Sequence, residues 1–561
     1  MEFYPKYSDT LGKYSTGVLE NRDGDYFVGE NLVVNNRGLD GDLVYYDPIR
    51  KNVTGISERK LGKIVGVLRL DDNKRYGYNK KNVPYVKFSS VSGKYPDFIV
   101  PCKLRSKSAQ YVVISFNRWN TSDKHPVGQI EEYLGDVSDE YSTIRMLFAK
   151  VGIRLSGKKM SYSSSIDLSS GINIDYRTFS IDPVGCRDID DAFHFTRLEN
   201  GDVEIGIHIA NVARQMVFMN THQYSSIYYR NGRQDNMLED KYSFDNFSLT
   251  SGQKRLALSL VITIRDGNEV SREFRESVVK NTALSYDEVN SMNGMNEMNG
   301  SKCCQARELL EFSRGFFGED EMTAQKMVER YMIMYNSAVA EKLFTCNPQE
   351  VILRTHQGSM DGESSGTITD SRLMEFLNRR KMEAAVYAIA PEDTRHLTLG
   401  LDFYTHATSP IRRYVDIINQ HMIISSINPD YTWSRDSFKI DIDAINTFNK
   451  SLRKFYNYYK KLEIVHSGRL DEHRDFDAYI VSIKGVKLTI WIPDLEITHN
   501  VNVVSPKLLV AGDIMFDSNK SCVTVNERSY NVYDKISVTV TPRPSECVFN
   551  RKLHVSILEF E

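Results

Sequence analysis

The chain lacks long apolar runs, has almost no tryptophan and contains no C-x-x-C cysteine pair. Its longest apolar stretch, around residues 256–264, falls well short of the ~18 residues a membrane-spanning helix needs. No membrane association is therefore expected. The 561 residues include only 3 tryptophans and 7 cysteines, and no two cysteines are spaced C-x-x-C. That excludes a zinc ribbon or a disulfide framework and points to a reducing compartment. No apolar signal core follows Met1, so the expected home is the cytosol, with the nucleus as the alternative. Charge of one sign is lacking too. Lys+Arg 71 against Asp+Glu 74 gives a net charge of −3, so any path for nucleic acid must be a local basic groove.

What is present suggests several domains, because single cores stop growing at about 250–300 residues. Residues 1–150 carry short alternating segments, among them 14–19, 25–28, 42–46, 63–68, 85–88 and 111–116, punctuated by Gly, Asn and Asp. This rhythm predicts small β-barrels, and its change near residues 59–63 predicts two of them. From Arg177 to about Ile424 strands mix with long helices, including an amphipathic one over 325–344. A basic aromatic helix near residues 452–461 leads into a last run of strands over 478–540. The fold class is thus multidomain: N-terminal barrels over 1–62 and 63–150, a mixed α/β domain over 151–468, and a C-terminal barrel over 469–561.

Two segments carry chemistry. Asp182, Asp188, Asp190 and Asp191 crowd into ten residues after a strand-like run. Unit charges 4 Å apart repel by about 4 kcal/mol at an effective dielectric near 20. Such clustering suits a hard, oxygen-seeking cation; the alternative is a solvated acidic loop. An EF-hand is excluded by the absence of its turn glycine. The second segment is His406-Ala407-Thr408-Ser409-Pro410-Ile411-Arg412-Arg413-Tyr414. Ser409 is predicted as a helix N-cap with Pro410 at the first helical position. Arg412 and Arg413 then fall in the first turn, where cations are disfavoured unless a phosphate sits there. The alternative is a surface helix with Arg412 paired to Asp416.

The motif Asp182-Pro183-x-x-x-Arg187-Asp188-Ile189-Asp190-Asp191-Ala192 resembles one signature of the RNB (ribonuclease II) exoribonucleases, and Tyr404–Tyr414 resembles the other. Between them, in the family's order, lie segments similar to its own at 207–212, 248–259, 284–289, 327–329 and 353–356. Residues 119–136 resemble the second cold-shock barrel of the eukaryotic exosome-type members, 35–42 the end of their first, and the C-terminal run their S1-like OB barrel. No PIN endonuclease region is expected ahead of the first barrel. The resemblance implies processive 3′–5′ hydrolysis of single-stranded RNA to nucleoside 5′-monophosphates with Mg²⁺, or Mn²⁺ in its place. Asp182, Asp188, Asp190 and Asp191 would hold metal. Asp190 would be the carboxylate on which chemistry depends most, Arg412 would grip the scissile phosphate, and Tyr286 would position the terminal nucleotide. Arg354 is a further RNA-binding candidate, with a structural ion pair as its alternative. The expected protein is a monomer that binds single-stranded RNA and joins RNA-decay partners.

Other residues have plainer readings. His208 is expected to be a hydrogen-bonded structural residue, and Phe455–Tyr459 to be packing aromatics. The chain departs from the family at Asn211, at Arg330, near Leu452, in the short stretch 311–325 and at 232–240, where a tyrosine-containing segment is poorly matched. Two rival functions remain: a catalytically silent RNA-binding relative, and a scaffold in which the aspartate loop is only a solvated turn.

Overall fold

Short alternating runs of β-branched and aromatic residues fold as strands. The computed structural model describes residues 14–558 apart from 23, 73, 156–158, 163–174, 230–232, 292–303, 357–369, 467–469, 471–473, 504–513, 517–521, 526–527 and 547–548. Two compact units are present. One comprises Met1–Ile153, Thr367–Leu373 and Ser451–Glu561, the other Arg154–Gly366 and Met374–Lys450.

In the first unit, five strands from Ser15–Arg22 to Asn52–Glu58 make a sheet around Leu19, Val28, Val33, Val44 and Val53. This sheet does not close among the described residues. A second group, Ile64–Leu68, Tyr85–Ser90, Phe98–Pro101, Gln110–Arg118 and Val127–Asp136, closes into a barrel on Phe88, Phe98, Val112 and Ile114. The strands Asn52–Glu58 and Val127–Asp136 were not expected, because Gly55 and the exposed Gln129, Glu131 and Glu132 blur the alternation. The C-terminal strands form a five-stranded and a three-stranded sheet, with Ile480, Leu488, Ile490 and Val538 in one core. Phe455 is fully buried and packs on Phe148 at 4.7 Å and on Tyr459 at 5.7 Å. The helical aromatics are therefore packing, as expected.

The second unit, expected as mixed α/β, is built on a closed barrel of five strands: Asp175–Asp182, Asp191–Arg197, Val203–Ala210, Lys254–Arg265 and Asn268–Ser285. The helix Ala324–Cys346 lays Tyr331 and Tyr335 on it, both fully buried. The Tyr335 hydroxyl donates to the Leu258 carbonyl at 3.1 Å, which satisfies a polar group in the core. His208 is structural, as expected. It links Ser259 Oγ (2.7 Å) to His194 (2.8 Å), which continues to Glu204 at 3.1 Å. Burial above all, then the neighbouring His194, pushes the His208 pKa well down. No helix among the described residues is long and apolar enough to cross a membrane.

Candidate active site

Strand register sets the first side chains. Asp182 ends the strand Asp175–Asp182, which runs parallel to Asn268–Ser285 and places Asp182 opposite Ser285. Tyr286 follows Ser285 directly, so pairing alone puts this tyrosine beside the first aspartate. The chain then turns: Cys186 N donates to the Pro183 carbonyl at 3.1 Å, and Gly185 adopts φ +85°. That left-handed conformation suits glycine. The rest of the loop is pinned from outside. Ile189 N donates to Ser248 Oγ at 3.0 Å, and Ser248 Oγ donates to the Arg187 carbonyl at 2.8 Å. Ala210 N donates to the Asp190 carbonyl at 2.8 Å. Asp191 opens the next strand, opposite Ile209.

The arginine segment departs from its expected form. Ser409 does not cap a helix: Pro410–Arg412 make a turn, Arg413 is extended at φ −137° and ψ 128°, and the helix is Tyr414–Ile427. The reason is a competing carboxylate. Asp416 Oδ1 accepts from Ser409 N at 2.7 Å and from Arg413 at 2.8 Å. Arg413, rather than Arg412, is therefore the partner of Asp416. The segment Tyr224–Tyr228 straps this turn in place: Ser226 N donates to the Arg412 carbonyl at 3.0 Å, and Tyr414 N to the Tyr224 carbonyl at 3.1 Å.

Freed from Asp416, Arg412 reaches the aspartate loop. Asp190 Oδ2 accepts from Arg412 Nε at 3.1 Å, and Asp190 Oδ1 from Ile411 N at 3.0 Å. Arg412 Nη2 donates to Ser409 Oγ at 2.8 Å. Asp190 is 4% exposed whereas the Arg412 side chain is 43% exposed. A guanidinium thus joins a buried carboxylate to the surface, with donors left for an arriving anion.

Asp182, Asp190 and Asp191 resist ionisation. Burial pushes Asp190 up to about 7 despite the opposing Arg412 charge, and Asp182 up to about 6. Asp191 is raised well above the usual carboxylate range by burial, then by Asp182 and Asp190. Tyr286 is pushed up to about 12 by burial, followed by the charges of Asp191 and Asp182. Cys186 is pushed up to about 12 by burial, so its thiol stays protonated beside Asp188, 3.9 Å away.

All four aspartates, Arg412 and Tyr286 are thus drawn to one place. Arg354 is not: its guanidinium donates to the Met382 carbonyl at 3.3 Å and lies 5.4 Å over the Tyr387 ring. The residue missed from sequence is Tyr228, whose hydroxyl donates to Asp188 Oδ2 while Tyr286 makes no hydrogen bond to a described residue. Its only signal was the tyrosine run Tyr224, Tyr228 and Tyr229, a few residues ahead of the poorly matched stretch. Of the departures, Asn211 donates to Glu276 at 3.1 Å and Arg330 pairs with Glu319, so both are absorbed in local contacts.

Among the described residues, no three His, Cys, Asp or Glu side chains close on a point that would hold an ion. Asp190 is engaged by Arg412 and Ile411, and Asp188 by Tyr228. Asp182 Oδ2, however, is buried without a hydrogen-bond partner, a costly state that an ion would relieve. The donors are hard oxygens, which fit Mg²⁺ in kind.

The sequence profile of the RNB domain matches residues 173–316 and 304–428. The two stretches overlap on the helix Cys304–Phe317. The exosome complex exonuclease RRP44 homolog A of Arabidopsis thaliana is 24% identical over 592 residues, covering 87% of this chain and 63% of that protein. This chain thus spans less than two thirds of that relative's length. By fold it is similar to Mycoplasma genitalium RNase R in complex with ribose-methylated single-stranded RNA, with TM-score 0.70, 17% identity and coverage of 97% and 100%. It is similar as well to yeast Ssd1, described as a pseudonuclease, with TM-score 0.60, 16% identity and coverage of 98% and 97%. Motif order, site geometry and profile agree: residues 173–428 of this chain form an RNB domain.

Proposed function

We propose that the protein is a processive 3′–5′ exoribonuclease that hydrolyses single-stranded RNA to nucleoside 5′-monophosphates. The observation that carries this reading is the Asp190–Arg412 contact, 3.1 Å long, which fixes a half-exposed guanidinium on the most crowded carboxylate. A solvated acidic turn has no need of such a partner. Asp182, Asp188, Asp190 and Asp191 would hold Mg²⁺ or Mn²⁺, which activates water and stabilises the leaving oxygen in phosphodiester hydrolysis. Arg412 uses its remaining donors on the scissile phosphate, where negative charge grows in the transition state. Tyr228 orients Asp188, and Tyr286 places its ring beside Asp182 for the terminal nucleotide. The N-terminal sheet and barrel are read as cold-shock-type modules and the C-terminal strands as an S1-like OB barrel. They offer stacking faces worth roughly 1–3 kcal/mol per base. RNA-decay proteins are the proposed partners.

The second reading, a silent RNA-binding relative, draws on the likeness to a pseudonuclease fold. The full aspartate quartet with Arg412 speaks against it, because a silent site gains nothing from mutually repelling carboxylates. The deciding experiment follows mononucleotide release from a labelled single-stranded RNA with free or blocked 3′ ends. Release from the free end only is expected, and Asp190→Asn should nearly abolish it while sparing RNA affinity. Binding without release by the wild type would favour the silent relative, and cleavage of a circular RNA would refute an exonuclease.

A further inference from the structure

Strand register sets one buried amide beside the aspartate loop. In the parallel pair of Asp175–Asp182 with Asn268–Ser285, Asn281 lies opposite Thr178, Ala283 opposite Ser180 and Ser285 opposite Asp182. Side chains alternate along a strand, so Thr178, Ser180 and Asp182 share a face with Asn281. Thr178, Ser180 and Asn281 are all buried, and each of their polar atoms needs a partner. Asn281 Nδ2 uses both its hydrogens, donating to the Leu249 carbonyl at 2.6 Å and to Ser180 Oγ at 3.0 Å. Thr178 Oγ1 donates to Asn281 Oδ1 at 3.4 Å. Turning the amide over would set two acceptor oxygens 2.6 Å apart at Leu249, so its orientation is fixed. Leu249 is itself anchored to the loop, because its N–H donates to the Ile189 carbonyl at 3.0 Å.

A hydroxyl has one proton to give and two sites that accept. Ser180 Oγ accepts from Asn281, whose amide nitrogen has no lone pair to offer in return. The Ser180 proton must therefore go elsewhere, and the Asp182 carboxyl accepts it. We propose that Asn281 is a positioning residue for the metal site, donating to Ser180 and so directing the Ser180 proton onto Asp182. The proposal rests on the reading of Asp182 as a metal ligand. Held through that bond, the carboxylate cannot rotate freely, and it keeps Oδ2, which has no partner, for the ion. Asn281 itself needs no contact with ion or RNA. Its role is to fix the direction of one hydrogen bond, and outer partners of metal-binding side chains commonly act in this way.

The test is Mn²⁺ binding to the full chain without RNA, followed by the paramagnetic resonance of the free ion. Asp182→Asn marks the share of binding that belongs to this loop. Asn281→Leu keeps the bulk of the side chain but donates nothing, and should weaken that share about tenfold or more. Ser180→Ala should weaken it comparably. The two together should weaken it no further than either alone, because Asn281 acts through Ser180; independent structural damage would multiply instead. Should Asn281→Leu fail to fold, Asn281→Thr serves in its place, since one hydroxyl can satisfy the Leu249 carbonyl but not Ser180 as well. A wild type that binds no Mn²⁺ at Asp182 would overturn the metal reading and this proposal together. Loop binding that Asn281→Leu leaves intact, or that falls as far again when the substitution is made in Ser180→Ala, would overturn the proposal alone and leave the metal reading standing.

Discussion

Asp190→Asn should make the metal-free protein more stable at alkaline pH while removing its activity. The Asp190 carboxyl is held at about 7 by burial, against an ordinary value of 3.8. Its folded-state pKa is raised, so the stability it contributes is complete below about pH 3.8 and is lost as pH climbs through 7. Between pH 5 and pH 8.5 the wild type crosses roughly two of those units, or about 3 kcal/mol at 1.36 kcal/mol each. Asparagine carries no charge and escapes that loss. It does place an amide donor against Arg412 Nε or Ile411 N, but protonated aspartic acid at pH 5 has the same defect, so the two proteins start nearly level. In EDTA the midpoint difference should therefore widen by roughly 5 °C from pH 5 to pH 8.5, in favour of the variant. The assay is thermal unfolding of the RNB-containing unit within the full chain, followed across that range. Parallel wild-type and variant curves would refute the reasoning, because they would mean that Asp190 is ionised without cost.

Tyr228→Phe frees Asp188 from its hydroxyl donor, and a hydrogen bond to a charged group is worth about 1.5–3 kcal/mol. Mononucleotide release should slow by tenfold or more, and by more than in Tyr286→Phe, while the thermal midpoint falls by only a few degrees; the reverse order of the two rates would contradict the placement of Tyr228. Gly206→Ala puts a methyl 2.2 Å from the His194 ring and 2.6 Å from His208 Nε2, inside a buried hydrogen-bonded chain that cannot shift freely. A loss of about 2 kcal/mol in denaturant unfolding is expected, and a neutral result would show that the His194–His208 pair is mobile.

Local chemistry in the sequence revealed the aspartate loop well. Four carboxylates bracketing Gly185 and Arg187 left a metal site and a solvated loop as the alternatives, and the fold gathers them with Arg412 and Tyr286. Most of the first eight strands were visible for the same reason: one buried face leaves a period of two. What stayed hidden depends on partners distant in sequence. The helix start at Tyr414 was misjudged because Asp416, a good first-turn residue, captures Ser409 N and Arg413 and so unwinds the turn before it. Tyr228 was invisible because its importance lies in a contact forty residues away, with Asp188. Arg354 kept both its readings until Met382 and Tyr387 were seen to occupy it.

Gln420 is fully buried in the helix Tyr414–Ile427, which follows the arginine segment, and its one amide ties that helix to the end of the strand Val203–Ala210. Its Oε1 accepts from Val212 N and Ala213 N, both at 3.2 Å, and its Nε2 donates to the Ala210 carbonyl at 2.8 Å. Ala210 in turn holds the Asp190 backbone. The two halves of the site are thus gauged against each other by one side chain, whatever length of chain runs between them. Evolution can then shorten, lengthen or recompose the intervening segments without retuning the distance from Asp190 to Arg412. Variation in RNA handling and constancy in chemistry become separable traits, carried by different stretches of one polypeptide.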